Sequence, residues 1–181
     1  MIINYKNCVE PYLDNFSKVS IPEARSYEIK EFVKEVVKRK KQESHHEIDG
    51  SREEIRWYTG YAGEAAIEEY LKINFVDLSI GESKNYHVPD LTGIGLGVGI
   101  KSVEYGKFPV IFKKSSKPEI IILKQSYLNF LICGYASQDV LKKYQSDSLI
   151  LSPILIHLRS HTYLCLQIDP LSEKVFPLHV L

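Results

Sequence analysis

Three side chains near the middle of the chain have types and spacing that could do chemistry together: Glu64, Asp90 and Lys101. Asp90 follows a proline in Val88-Pro89-Asp90-Leu91-Thr92-Gly93, and the run Val98-Gly99-Ile100-Lys101-Ser102 reads as a strand. Side chains alternate along a strand, so Val98 and Ile100 point one way while Gly99 and Lys101 point the other. A strand end carrying Asp90, then a glycine-rich hairpin, would bring that acid and Lys101 to a common space. Glu64 shares a helical stripe with Gly60, Ile67 and Leu71, on or beside a packed face where a carboxylate wants a partner. Carboxylates are the hard oxygen donors that magnesium takes, and burial or a neighbouring cation can tune a lysine beside them. A divalent ion held by such carboxylates can activate a water and neutralise charge on a substrate.

Glycines at 93, 95, 97 and 99 also suggest a phosphate loop, and the spacing rejects it. Dinucleotide binding needs Gly-x-Gly-x-x-Gly opening a helix, which no frame of this run supplies. A P-loop needs glycine directly before Lys-Ser, whereas Ile100 stands there, and Gly106 and Pro109 make a following helix untenable. The glycines suit a tight hairpin whose backbone something else approaches closely. Pro-Asp-Leu-Thr-Gly is in its own right a good turn sequence.

The elements that must position these residues can be read from periodicity. Residues 1–21 form an arm or irregular cap. Ile29, Phe32, Val33, Val36 and Val37 mark an amphipathic helix over about 22–42, with Pro22 in its first turn and the basic end Lys38-Arg39-Lys40-Lys41 complementing the helix dipole. A polar linker with His45-His46 follows. The second helix runs from Ser51, where Ser51-Arg52-Glu53-Glu54 fits a capping box, to about Lys72. Gly60 and Gly63 inside it predict close packing on a sheet. Strands are expected at 86–91, 98–103, 119–123 and 127–135, then a short helix capped by Ser137 over 138–144, then strands at 149–158 and 162–168.

The chain has 181 residues, 44% hydrophobic and 25% charged, with a formal net charge of zero. That is ordinary composition for one α/β (α+β) domain over residues 1–181: an arm and helix at 1–50, a core at 51–158 and a C-terminal strand extension at 159–181. No apolar run approaches a membrane span, and no secretory start is visible, so no membrane association and a cytoplasmic location are the expectation. Three scattered cysteines suggest neither a disulfide framework nor a zinc site. Zero net charge argues against a protein that coats nucleic acid. Residues 101–124, however, hold six lysines against two glutamates, a local charge of +4. Lys107, Lys113, Lys114, Lys117 and Lys124 are therefore candidate phosphate contacts, with 113–117 read as an exposed loop.

Glu64 on a helix, then Pro89-Asp90, then a strand bearing Lys101 resembles the PD-(D/E)xK nuclease superfamily, with Gly99 where that family places its second strand acid. The resemblance implies a restriction-endonuclease-like core, a helix followed by a mixed central sheet flanked by helices. It implies a Mg2+- or Mn2+-dependent DNA endonuclease of the restriction or junction-resolving type, with DNA as partner and pairing into a homodimer to cut two strands. Asp90 would be the main ligand, Glu64 would hold the ion directly or through water, the backbone carbonyl of Ile100 would complete the protein shell, and Lys101 would orient or deprotonate the attacking water. For the acid missing at Gly99 three readings stand: Glu64 compensates, which is favoured; another acid such as Glu82 or Glu104 moves in; or the fold is catalytically degenerate and binds nucleic acid or protein.

Overall fold

The computed structural model describes residues 5–40, 50–79, 88–107, 110–112, 117–143 and 163–165. Within them the chain is mixed α/β. It begins with the short helix α1 (Tyr5–Cys8), a 3-10 turn at Glu10–Asn15 and strand β1 (Ser17–Ser20), and continues into the long helices α2 (Glu23–Lys40) and α3 (Gly50–Leu71). Strands β2 (Gly99–Glu104), β3 (Val110–Phe112), β4 (Glu119–Lys124) and β5 (Asn129–Ala136) follow, then helix α4 (Gln138–Lys143) and strand β6 (Tyr163–Cys165).

The main sheet has the order β1-β5-β4-β2, with β1/β5 and β5/β4 antiparallel and β4/β2 parallel. β3 and β6 form a separate antiparallel pair. Ile120, Ile121, Ile122 and Leu123 of β4 are all buried, as expected of an interior strand covered on both faces. Ile120, Ile122, Phe130 and Ile132 pack with Ile29, Val33, Val37, Tyr58, Ala62, Ala66 and Ile67 of the two long helices. Ile121, Leu123, Leu131 and Cys133 pack on the other face against Val9, Phe16 and Leu141. Where β4 meets β5 the register slips between Ile121 and Ile122, which pair with Gly134 and Ile132, so Cys133 is the extra residue of a bulge. Gly134 takes φ 149°, a value that favours glycine.

α3 lies directly on β2. A side chain at Gly63 would collide with Ser102, whose Cβ stands 2.7 Å from where the new carbon would sit. The glycine expected to mark close packing is therefore Gly63, while a Cβ at Gly60 would meet nothing within 4 Å. After α3, the buried carboxylate of Glu68 pins the chain by accepting the amides of Phe75 (2.7 Å) and Val76 (2.6 Å) and pairing with Arg25 at 2.9 Å.

Most expected elements are found with shifted ends. α2 starts one residue after Pro22, so that proline precedes the helix, and α3 is already helical at Gly50. Ser137 caps α4 as expected, its hydroxyl accepting the Val140 amide at 3.2 Å. The strand expected at 86–91 is not one where it is described: Val88 and Pro89 are irregular, and Asp90–Ile94 is a 3-10 turn closed by Gly95 at φ 81°. Pro89 cannot donate to a ladder, and the left-handed Gly95 turns the chain within one tight coil. The linker with His45-His46 and the strand expected at 149–158 lie outside the described residues. Among the described residues no helix is long and apolar enough to cross a membrane.

Candidate functional site

β2 and β4 run in parallel with Gly99 opposite Glu119, Ile100 opposite Ile120 and Lys101 opposite Ile121. Paired residues project to the same side of a sheet. Gly99 has no side chain, and the carboxylate of Glu119 lies over it. A Cβ built on Gly99 would overlap Glu119 Oε2, with Glu119 Cδ at 2.8 Å and Lys117 Cε at 2.9 Å. The space that an acid at position 99 would fill is thus filled by an acid from the neighbouring strand, two residues along the sheet from Lys101.

The alternation read from the sequence holds: Val98 and Ile100 pack toward the helices, and Gly99 and Lys101 face away from them. Asp90 is placed differently from the expectation. It opens the 3-10 turn, and its Oδ2 accepts the Ile100 amide at 2.5 Å, tying the turn to the start of β2. The same join is reinforced by the Leu91 amide on the Val98 carbonyl (3.1 Å) and the Gly99 amide on the Pro118 carbonyl (2.9 Å). Asp90, Gly99 and Glu119 are therefore brought together by backbone hydrogen bonds at one end of the β2/β4 pair.

The electrostatics show which groups feel one another. Glu119, only 7% exposed, has its carboxyl pushed up to about 7, first by burial, with Asp90 adding to the shift and Lys117 and Lys101 opposing it. Glu64, on α3 beside Gly63, is pushed up to about 8 by burial and then by the charges of Asp90 and Glu68, against Lys117. Burial lowers the Lys101 ammonium, and Glu119 partly restores it. Tyr61 is raised to about 12 by burial and by Glu64, Asp77 and Asp90. Asp90 thus lies within reach of both glutamates, and the carboxylate neighbour of Lys101 is Glu119.

Two carboxyls that hold protons near neutral pH signal more negative charge in one place than the nearby lysines balance. All the acidic donors are oxygens, the chemistry that suits magnesium or manganese. As they stand among the described residues, no three acidic, histidine or cysteine side chains converge closely enough to hold an ion. The carboxylates are coupled through charge rather than by shared contact.

The other expected contributors separate into groups. Glu104 does not approach the acids: it stands at the far end of β2, paired with Lys107 and lying 4.0 Å from Lys124. Glu82, Lys113 and Lys114 lie outside the described residues. Lys117, expected in an exposed loop, instead reaches back, donating to the Val88 carbonyl at 3.4 Å and facing Glu64 and Glu119. Lys124 is half-buried against Tyr58, five residues along β4 from Glu119, about 17 Å at about 3.3 Å per residue. Of the described lysines, Lys117 stands at the acid end of the β2/β4 pair and Lys107 and Lys124 at the other.

Glu119 is the residue the sequence reading missed. A glutamate opening an otherwise apolar strand, Glu119-Ile120-Ile121-Ile122-Leu123, is the available signal, but only the parallel register places it over Gly99. No family model matches this chain, and neither a curated protein nor a solved structure does.

Proposed function

We propose that this chain is a divalent-metal-dependent nuclease that hydrolyses phosphodiester bonds in DNA, built on a core of the PD-(D/E)xK type whose acid and lysine are split over two strands. The observation that carries this reading is the Glu119 carboxylate lying in the side-chain volume of Gly99, on the same face as Lys101 and coupled to Asp90. Glu119, not Glu64 alone, takes the place of the absent strand acid.

The donor set fits Mg2+ or Mn2+: Asp90 and Glu119 would hold the ion, with Glu64 closing on it directly or through water and the Ile100 carbonyl nearby. When bound, such an ion lowers the pKa of a coordinated water and neutralises phosphate charge. The chain's own residues do the rest. Asp90, fixed through the Ile100 amide, holds the strand start in place relative to the carboxylates. Lys101, whose ammonium is already weakened by burial, can release its proton to become a base or keep it to offset phosphate charge. Lys117 balances Glu64 and Glu119 before substrate arrives. Val88 (50% exposed) and Leu96 (40% exposed) flank the 3-10 turn, and Gly93 within it and Gly97 after it are uncrowded, a surface a sugar-phosphate backbone could approach. A homodimer that cuts both strands belongs to the same proposal.

Incubating purified protein with supercoiled plasmid and with branched and single-stranded DNA, in Mg2+, Mn2+ or chelator, tests it. Nicking or cutting that needs the ion is expected. Cutting that persists in chelator, or none on any substrate, contradicts it.

A further inference from the structure

At the opposite end of β2 and β4 from the acids lies a cleft of about 380 Å3 between α2, α3 and the turn leading into β5. Two ammonium groups enter it, each seated on an aromatic ring: Lys30 Nζ is 4.0 Å from the centre of the Tyr127 ring and Lys124 Nζ is 5.3 Å from that of Tyr58. The rings meet edge to face at 5.3 Å, and the Tyr58 hydroxyl is fixed between Ser26 Oγ and the Tyr127 carbonyl, at 2.7 Å each. Each ammonium thus lies within 6.0 Å of both rings of one tyrosine pair.

Glu54 and Glu104 also line the cleft, but Glu104 is engaged by Lys107 as well as Lys124. Among the described residues no ion pair holds Lys30. Ser126 adds a donor. Its oxygen accepts the Asn129 amide at 3.2 Å and the Asn129 side-chain nitrogen at 2.9 Å, which leaves its O–H proton to point elsewhere. Two ammoniums and a hydroxyl lining one cleft are the donors a tetrahedral oxyanion takes.

The position of the cleft agrees when measured along two elements. Glu119 to Lys124 is about 17 Å of strand, and Glu54 to Glu64 is ten residues of α3, about 15 Å. Glu64 and the cleft share the helix-covered side of the sheet, while Glu119 projects from the other face. We propose that this cleft holds a second backbone phosphate of the nucleic acid, about 15 Å along α3 from Glu64 and the phosphate the carboxylates engage. The inference rests on the nuclease reading above, and the phosphate it names could equally be carried by a small molecule, so the test separates the two sources.

The test is binding of a short DNA duplex in chelator, followed by fluorescence anisotropy over a salt series, for wild type, Lys30→Gln, Lys124→Met and the double variant. Because both lysines serve one phosphate, the double variant should reduce the slope of log K against log salt by about 0.9, and each single variant by part of that. Should half-buried Lys124 not tolerate methionine, Lys30→Gln carries the comparison alone. Tight binding with unchanged slopes overturns the inference and leaves the nuclease reading intact. If wild type binds no DNA, thermal shifts with inorganic phosphate decide: a shift lost in Lys30→Gln overturns the nucleic-acid source and assigns the cleft to a phosphorylated small molecule, and no shift overturns the site altogether.

Discussion

Moving the Glu119 carboxylate to position 99 should restore what either single change removes. Gly99→Glu alone places a Cβ 2.8 Å from Glu119 Cδ and 2.9 Å from Lys117 Cε, closer than carbon atoms tolerate. The atoms in the way are the far ends of two flexible side chains, so the collision is relieved by displacing the Glu119 carboxylate and the Lys117 tip from their places. A further carboxylate about 4 Å from Glu119 adds repulsion of up to about 4 kcal/mol at an effective dielectric constant of 20, relieved in part by proton uptake. Glu119→Gly alone removes the carboxylate that faces Lys101 and leaves that ammonium in a desolvated site, at about 1–3 kcal/mol. In the double variant the crowding disappears and one carboxylate returns to the same volume, because residues 99 and 119 are paired and share a face. Urea unfolding of the four proteins at pH 7 without metal should give a favourable coupling of about 2 kcal/mol or more, and Mn2+ titration should show affinity lost in both single variants and partly recovered in the double. Free energies that add within about 0.5 kcal/mol would refute the reasoning, since independent sites behave that way.

Asp90→Ala loses the acceptor of the Ile100 amide and should destabilise the fold by about 1–2 kcal/mol, so Asp90→Asn is the cleaner variant: it should abolish cleavage with an unfolding midpoint near wild type, read by plasmid assay and circular dichroism. Glu64 and Glu119 keep their protons to about 8 and about 7 in the folded chain but ionise near 4.5 when unfolded. The metal-free protein should therefore be most stable below about pH 4.5 with respect to these groups and lose that stability progressively as pH rises toward 8. Urea titrations at several pH values should show this decline, flattened in Glu64→Gln, while the thermal shift caused by Mn2+ should grow from pH 6 to 8 as the proton competes less. Gly63→Ala should cost about 1–3 kcal/mol through collision with Ser102, and Gly60→Ala should cost nothing or stabilise α3, as denaturant midpoints will report.

The long helices and the two interior strands were legible because their signals are local. Ile29, Val33 and Val37 repeat at helical spacing, and Ile120 to Leu123 is apolar without a break. Asp90 was singled out in the sequence as a candidate site residue but not as part of a 3-10 turn, because a proline before it and a glycine after it suit either a strand end or a coil. Lys117 and Glu119 were misjudged for one reason. Along the chain they belong to a basic segment, and only the pairing of β2 with β4, twenty residues apart in sequence, brings both over Gly99. A pair of strands aligned in parallel can share out a motif that a single strand normally carries, and one sequence does not reveal their register. Lys124 was grouped with Lys117 by sequence proximity, yet the extended strand between them carries it to the other end of the sheet.

The most direct measurement of the central claim is an anomalous difference map from crystals of the protein soaked in Mn2+ at pH 8, where Glu119 has largely given up its proton and the ion competes for the proton on Glu64. A peak within ligand distance of both Asp90 and Glu119, with Glu64 turned toward it and no such peak in Glu119→Gln crystals, is the predicted result. A map with no manganese near Asp90, or with manganese held by Asp90 and Glu64 while Glu119 stays against Lys101, would contradict the assignment of Glu119 as the acid that Gly99 lacks.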